Sequence, residues 1–287
     1  MRRPKWYLAV IAAAALVATV LVAPVSARPE LVPGLPVYLA LGDSWAWGQG
    51  PADPATEGYV PQLQQELRVD LDCTPALSTM ARGGCKHLQL LNLGRPATDE
   101  LPGVTAPIVA EEQLPIALPL LEARNQDSNR RNDVEVVTLH VGGNDVSGPI
   151  QDACFTGTPE ECVFTILTEM AEFDADLRDV VAPLREAAGP DTPIVLGTYD
   201  NPVPYCFLAP VPGAIELGAL ILEGSPDGFI PGIHDVIRSV AADYDGEVAE
   251  VFGQFEGADF VGGQDCLHPS ATGHDKVTGA FSSILGS

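Results

Sequence analysis

Ser44, His268 and Asp265 are residues of the types that divide the work of nucleophilic hydrolysis. Ser44 closes Gly42-Asp43-Ser44, directly after the apolar run Leu39-Ala40-Leu41. Asp265 and His268 stand three residues apart in Asp265-Cys266-Leu267-His268-Pro269. A serine hydroxyl is a weak nucleophile at neutral pH until a histidine accepts its proton. That histidine needs a carboxylate on its other ring nitrogen to fix its tautomer and stabilise the imidazolium. An i, i+3 spacing in a turn can set the Asp265 carboxylate on one side of the His268 ring and leave the other nitrogen free. Pro269 disfavours helical backbone at His268, which places the histidine in a loop just before a final helix. Each stretch also has a plainer reading. Gly-Asp-Ser is ordinary turn chemistry at the end of a buried strand, and the Asp265–His268 segment can be a solvated turn that caps the final helix through Ser270.

Two further segments carry groups that could stabilise a developing negative charge. Gly142-Gly143-Asn144-Asp145 offers tandem glycines, which permit close approach of a ligand, and an asparagine amide able to donate to an oxyanion. Asn92-Leu93-Gly94-Arg95-Pro96-Ala97-Thr98 offers backbone N–H groups in a turn. Of the remaining histidines, His140 reads as a core or sheet-end residue, and His87 and His234 as ordinary surface or boundary residues. Trp45 and Trp47 suit either a pocket wall or a cover for the sheet edge.

The elements that must position these groups alternate between strand and helix. Short apolar and β-branched runs predict strands at Pro36–Leu41, His87–Leu93, Val134–Val141, Pro193–Tyr199 and Glu247–Phe252. Helical spacing of apolar residues predicts helices at Tyr59–Val69, Phe164–Ala188, Ile230–Tyr244 and Ser270–Leu285, with a short one at Ala214–Leu222. Asp145–Cys162 is polar and glycine-rich and reads as a loop. This order predicts an α/β fold with a central parallel sheet of about five strands, covered on both faces. The candidate residues leave the carboxyl ends of strands, where open α/β sheets place their ligand sites.

Residues 1–27 read as a signal peptide. Arg2, Arg3 and Lys5 precede an apolar run, and Val25-Ser26-Ala27 supplies the small residues of a cleavage site. An uncleaved anchor is the competing reading, but the apolar run is short for a span. Residues 28–287 then form a single domain, with no later segment apolar enough to cross a membrane. Losing the leader takes the formal net charge from −24 to −27, which repels nucleic acid and anionic lipid headgroups. The six cysteines of an exported chain read as three disulfides, with fifteen possible pairings. The pairing expected is Cys73–Cys85, Cys154–Cys162 and Cys206–Cys266. No paired spacing supports zinc, and no other cofactor or metal is expected.

Taken in order, Gly42-Asp43-Ser44, Asn92-x-Gly94, Gly142-x-Asn144-Asp145 and Asp265-x-x-His268 resemble the SGNH hydrolases, also called GDSL esterases and lipases. The absence of G-x-S-x-G separates the chain from the nucleophile elbow of the α/β-hydrolase fold. The resemblance implies a flavodoxin-like three-layer α/β/α sandwich. It implies Ser44 as nucleophile, His268 as general base and then acid, and Asp265 as its orienting partner. The oxyanion would be held by the Ser44 backbone N–H, the Asn144 side chain and an N–H from the second block. Relatives usually have a second glycine five residues after the asparagine, where this chain has Ala97, so Ala97 or Gly94 is the expected donor. His274 resembles a histidine often found in the final helix of the family and is read as structural. The function expected is a secreted, monomeric serine esterase or lipase acting on small-molecule or lipid esters. The alternatives are a carbohydrate acetylesterase of the same fold and an inactive binding or surface protein.

Overall fold

Continuous apolar runs build the centre of the molecule. In the computed structural model every residue of β1 (Val37–Gly42) is buried, as is nearly all of β3 (Val134–His140). A strand buried on both faces cannot alternate apolar with polar, and it must be covered from two sides. The structure describes residues 30–70, 88–96, 106–263 and 265–286. The expected leader, Cys73, Cys85, His87 and Ala97 lie outside the described residues.

Three more strands complete the main sheet: β2 (Gln89–Asn92), β4 (Ile194–Gly197) and β5 (Glu247–Ala249). All neighbours are parallel and the order is β2-β1-β3-β4-β5. A separate antiparallel pair follows, β6 (Phe260–Gly262) with β7 (Asp265–Pro269). The helices in chain order are α1 (Ser44–Trp47), α2 (Pro54–Glu57), α3 (Tyr59–Asp70), α4 (Leu114–Asn125), α5 (Gly143–Thr156), α6 (Pro159–Ala188), α7 (Ala214–Glu223), α8 (Ile233–Asp243) and α9 (Ala271–Leu285). Helices α3 and α9 pack together on one side of the sheet, while α4, α6 and α8 pack as a row on the other. The result is the flavodoxin-like three-layer α/β/α sandwich. Strand order 2-1-3-4-5 reverses direction between β1 and β3, the point at which such sheets bind ligands.

The segment Asp145–Cys162, expected to be a loop, is instead α5 and the first turn of α6. Val146 and Ile150, one helical turn apart, are buried and anchor α5 despite Gly148 and Pro149. The start of α6 is set by a capping box. Thr158 Oγ1 accepts from the Glu161 N–H, and the Glu161 carboxylate accepts from the Thr158 N–H. The Cys154–Cys162 disulfide is formed and ties the two helices together across this junction.

Candidate active site

The turn that presents Ser44 is held from three sides. Gly42 ends β1 with φ of 144°, and a Cβ there would lie 2.3 Å from the His140 carbonyl of β3. Only glycine allows that approach. The side chain of Gln113, fully buried, brackets the same residue. Its Oε1 accepts the Gly42 N–H at 3.0 Å and its Nε2 donates to the Gly42 carbonyl at 2.7 Å. The Asp43 N–H then donates to the His140 carbonyl at 2.9 Å, so β1 stays locked to β3 up to the last residue before the serine.

Asp43 caps α1, accepting the Trp45 N–H on Oδ1 at 2.9 Å and the Tyr199 hydroxyl on Oδ2 at 2.6 Å. Burial pushes its carboxyl up to about 6, against the lowering effect of these two hydrogen bonds. Ser44 is the first residue of α1.

His268 and Asp265 lie on β7 rather than in a loop, because β7 pairs with β6 through Gly262–Asp265 and Phe260–Pro269. Two contacts press this strand against the serine turn. Trp45 Nε1 donates to the Leu267 carbonyl at 3.1 Å. Gly50, with φ of 128°, sits so close beneath β7 that a Cβ would meet the Pro269 carbonyl at 2.0 Å. In consequence His268 Nε2 lies 3.0 Å from Ser44 Oγ, and His268 Nδ1 lies 2.7 Å from Asp265 Oδ1. An ionised carboxylate only accepts, so this arrangement places the proton on Nδ1 and leaves Nε2 to receive the serine proton.

Asn144, in the first turn of α5 after β3, lines the same cleft as Ser44 and His268, a cavity of about 210 Å³. Gly94 lies beneath α1, against Ala46 and the Gly42 carbonyl, while Asn92 Nδ2 donates to the Ala46 carbonyl at 2.7 Å. Trp45 is buried, lines the cleft and packs edge-on against His140 and Tyr199. The pocket-wall reading therefore holds for Trp45, which also braces β7.

The cysteine expectation needs one correction. Cys206 and Cys266 are separate thiols, although the Cys266 thiol hydrogen bonds with the Cys206 sulfur. Burial pushes the Cys266 thiol up to about 12, which disfavours the thiolate that disulfide formation requires. His234 is also corrected. It is fully buried, not a surface residue, accepting the Tyr199 N–H on Nε2 at 3.0 Å and pairing through Nδ1 with Glu223 of α7. His140 and His274 are buried. Burial brings His140 down to about 3, and His274 bridges the Tyr59 N–H and the Gln49 carbonyl. Gln113, Tyr199 and His234 support the site, and nothing in their sequence neighbourhoods marks them for it.

Comparison with known proteins agrees with this architecture. Residues 40–276 match the model of the GDSL-like lipase/acylhydrolase family. The chain belongs to that family, a group of hydrolases acting on esters. No curated protein sequence matches the chain. Among solved structures, it is similar to a lipase from a goat rumen metagenome, with 17% identity over 87% of this chain and 96% of that one, at a TM-score of 0.56. It is also similar to an extracellular lipase from Streptomyces rimosus, with 18% identity over 86% of this chain and 98% of that one, at a TM-score of 0.50. Among the described residues no helix is long and apolar enough to cross a membrane.

Proposed function

We propose that the chain is an exported serine esterase of lipase type that works through an acyl-enzyme on Ser44. The observation that carries this reading is the continuous relay from Ser44 Oγ to His268 Nε2 at 3.0 Å and from His268 Nδ1 to Asp265 Oδ1 at 2.7 Å. Ser44 Oγ attacks the ester carbonyl carbon while its proton passes to His268 Nε2. The carbonyl oxygen becomes an oxyanion, received by the Ser44 backbone N–H, the Asn144 side chain and an N–H of Gly94 or Ala97. Collapse breaks the bond to the alcohol oxygen, and His268 returns the proton to the departing alcohol. Water then gives its proton to His268, attacks the acyl carbon, and releases the acid with Ser44 restored. Asp265 holds the imidazole in the tautomer each step needs.

The apolar residues Val203, Ile221 and Leu222 along the cleft favour an ester with hydrocarbon substituents over a polysaccharide chain. Hydrolysis of p-nitrophenyl esters by the purified chain tests the proposal. The wild type should turn over these esters, and Ser44→Ala should reduce kcat by at least about 10⁴-fold with its melting temperature retained. Near wild-type turnover by Ser44→Ala would end it, and hydrolysis restricted to acetylated sugars would favour a carbohydrate acetylesterase instead.

A further inference from the structure

A second cavity, of about 390 Å³, adjoins the catalytic cleft and shares with it only Asp43 and Asn144. It lies between residues 106–110 and helix α6. Its apolar lining includes Val109, Val141, Phe173, Leu177 and Val180. The two cavities therefore meet at Asp43 and Asn144, and His268 lines only the smaller one.

The tetrahedral carbon formed on Ser44 Oγ carries an oxyanion, the alcohol oxygen and the acyl substituent. The alcohol oxygen must face His268, because His268 Nε2 returns the proton to it. The oxyanion faces the donors. The acyl substituent leaves in the remaining direction. Resting on the esterase reading, we infer that the 390 Å³ cavity is the acyl-chain site, and that the cleft beside His268 and α7 receives the alcohol portion.

The chemistry of the cavity specifies its occupant. At roughly 30 Å³ for a water-sized group, it accommodates on the order of ten methylene-sized groups. This corresponds to a medium-length hydrocarbon chain. Ile108 at its mouth is 59% exposed, an apolar side chain that a bound chain would cover. Asp145, Asp176 and Asp179 also border the cavity, and burial raises the Asp145 carboxyl with Asp176 adding repulsion. This acidic border disfavours an acyl chain ending in a second carboxylate, and it repels the free fatty acid once hydrolysis has created its charge. The occupant is thus a neutral acyl chain of medium length.

The test compares p-nitrophenyl acetate with p-nitrophenyl decanoate in wild type, Val180→Phe and Val109→Phe. The inference predicts a kcat/KM on decanoate above that on acetate in wild type, and a fall in the decanoate-to-acetate ratio of roughly tenfold or more in either variant. An unchanged ratio in folded variants would overturn the assignment. If Val180 in the core does not tolerate the larger side chain, half-buried Val109 provides the same test. Inactivation of the wild type by ethyl and decyl fluorophosphonates is independent of any variant, and equal rates would also contradict the inference. Loss of the esterase reading is distinguishable, because then neither ester would be hydrolysed and neither phosphonate would label the protein.

Discussion

The hydroxyl of Tyr199, just beyond β4, donates to the buried carboxylate of Asp43, one residue before Ser44, at 2.6 Å. The bond joins the end of β4 to the turn after β1 across the intervening β3. It supplies a donor to a carboxylate that burial makes costly to ionise. Tyr199 is itself fixed by His234, so the serine turn is braced through α8 and, by the His234–Glu223 pair, through α7.

This relationship gives a pH-dependent stability. The Asp43 carboxyl is raised from 3.8 to about 6, so the folded state binds its proton more tightly than the unfolded chain does. Stability assigned to Asp43 is therefore full below about pH 4, falls as pH rises to about 6, and is flat above. The total is about 3 kcal/mol for a shift of about two units. Tyr199→Phe removes a donor to the ionised form and raises that cost. Denaturant unfolding should show Tyr199→Phe losing about 2–3 kcal/mol at pH 8 and about 1 kcal/mol at pH 4. Equal losses at both values would show that Tyr199 acts by packing alone.

Gln113 satisfies both the N–H and the carbonyl of Gly42. Gln113→Leu keeps the side-chain volume but leaves those groups buried without their partner, at about 1–3 kcal/mol each. Its stability to denaturant should fall by a corresponding roughly 2–6 kcal/mol, and kcat should fall more than KM changes, because the serine turn loses its fixed position. Stability within about 0.5 kcal/mol of wild type would contradict the clamp.

In the proposed mechanism Asp265 acts on Ser44 only through His268, the residue it contacts. Asp265→Asn is expected to lower kcat by roughly 10²- to 10⁴-fold with a small effect on KM, since an amide can present the wrong hydrogen to Nδ1. Steady-state kinetics on a single ester decide this. A change confined to KM would assign Asp265 to substrate binding.

The Cys154–Cys162 disulfide closes a loop with a sequence separation of 8, at the junction of α5 and α6. In the chain-entropy model such a loop contributes about 2–3 kcal/mol. A Cys154→Ser and Cys162→Ser double variant should lose that stability in thermal unfolding while hydrolysing p-nitrophenyl acetate at close to the wild-type rate. A loss of hydrolysis in folded protein would show that α5 must be tethered to keep Asn144 in place.

That Ser44, Asp265 and His268 come together was legible in the sequence, because few residue types can pass a proton to and from a hydroxyl. Their spacing from strand ends placed them on one edge of a parallel sheet. The strands themselves were legible from unbroken apolar runs such as VEVVTLH. Gln113 and Tyr199 were not legible, because their roles depend on where the chain entering α4 and leaving β4 brings them, and no local pattern encodes a partner so distant in the chain. Helix α5 was obscured by Gly148 and Pro149, whose turn-forming preference yields to the burial of Val146 and Ile150. The His268 loop became a strand because the partner Phe260–Gly262 pairs with it, a contact that Pro269 alone does not reveal.

The central claim is that Ser44 is the residue acylated in turnover. Labelling with a fluorophosphonate, followed by peptide mass spectrometry, measures this directly. The account predicts one phosphonyl group on Ser44 in the native chain, and strongly slowed labelling in His268→Ala. Label on another serine, or unchanged labelling in the Ser44→Ala variant, would contradict it.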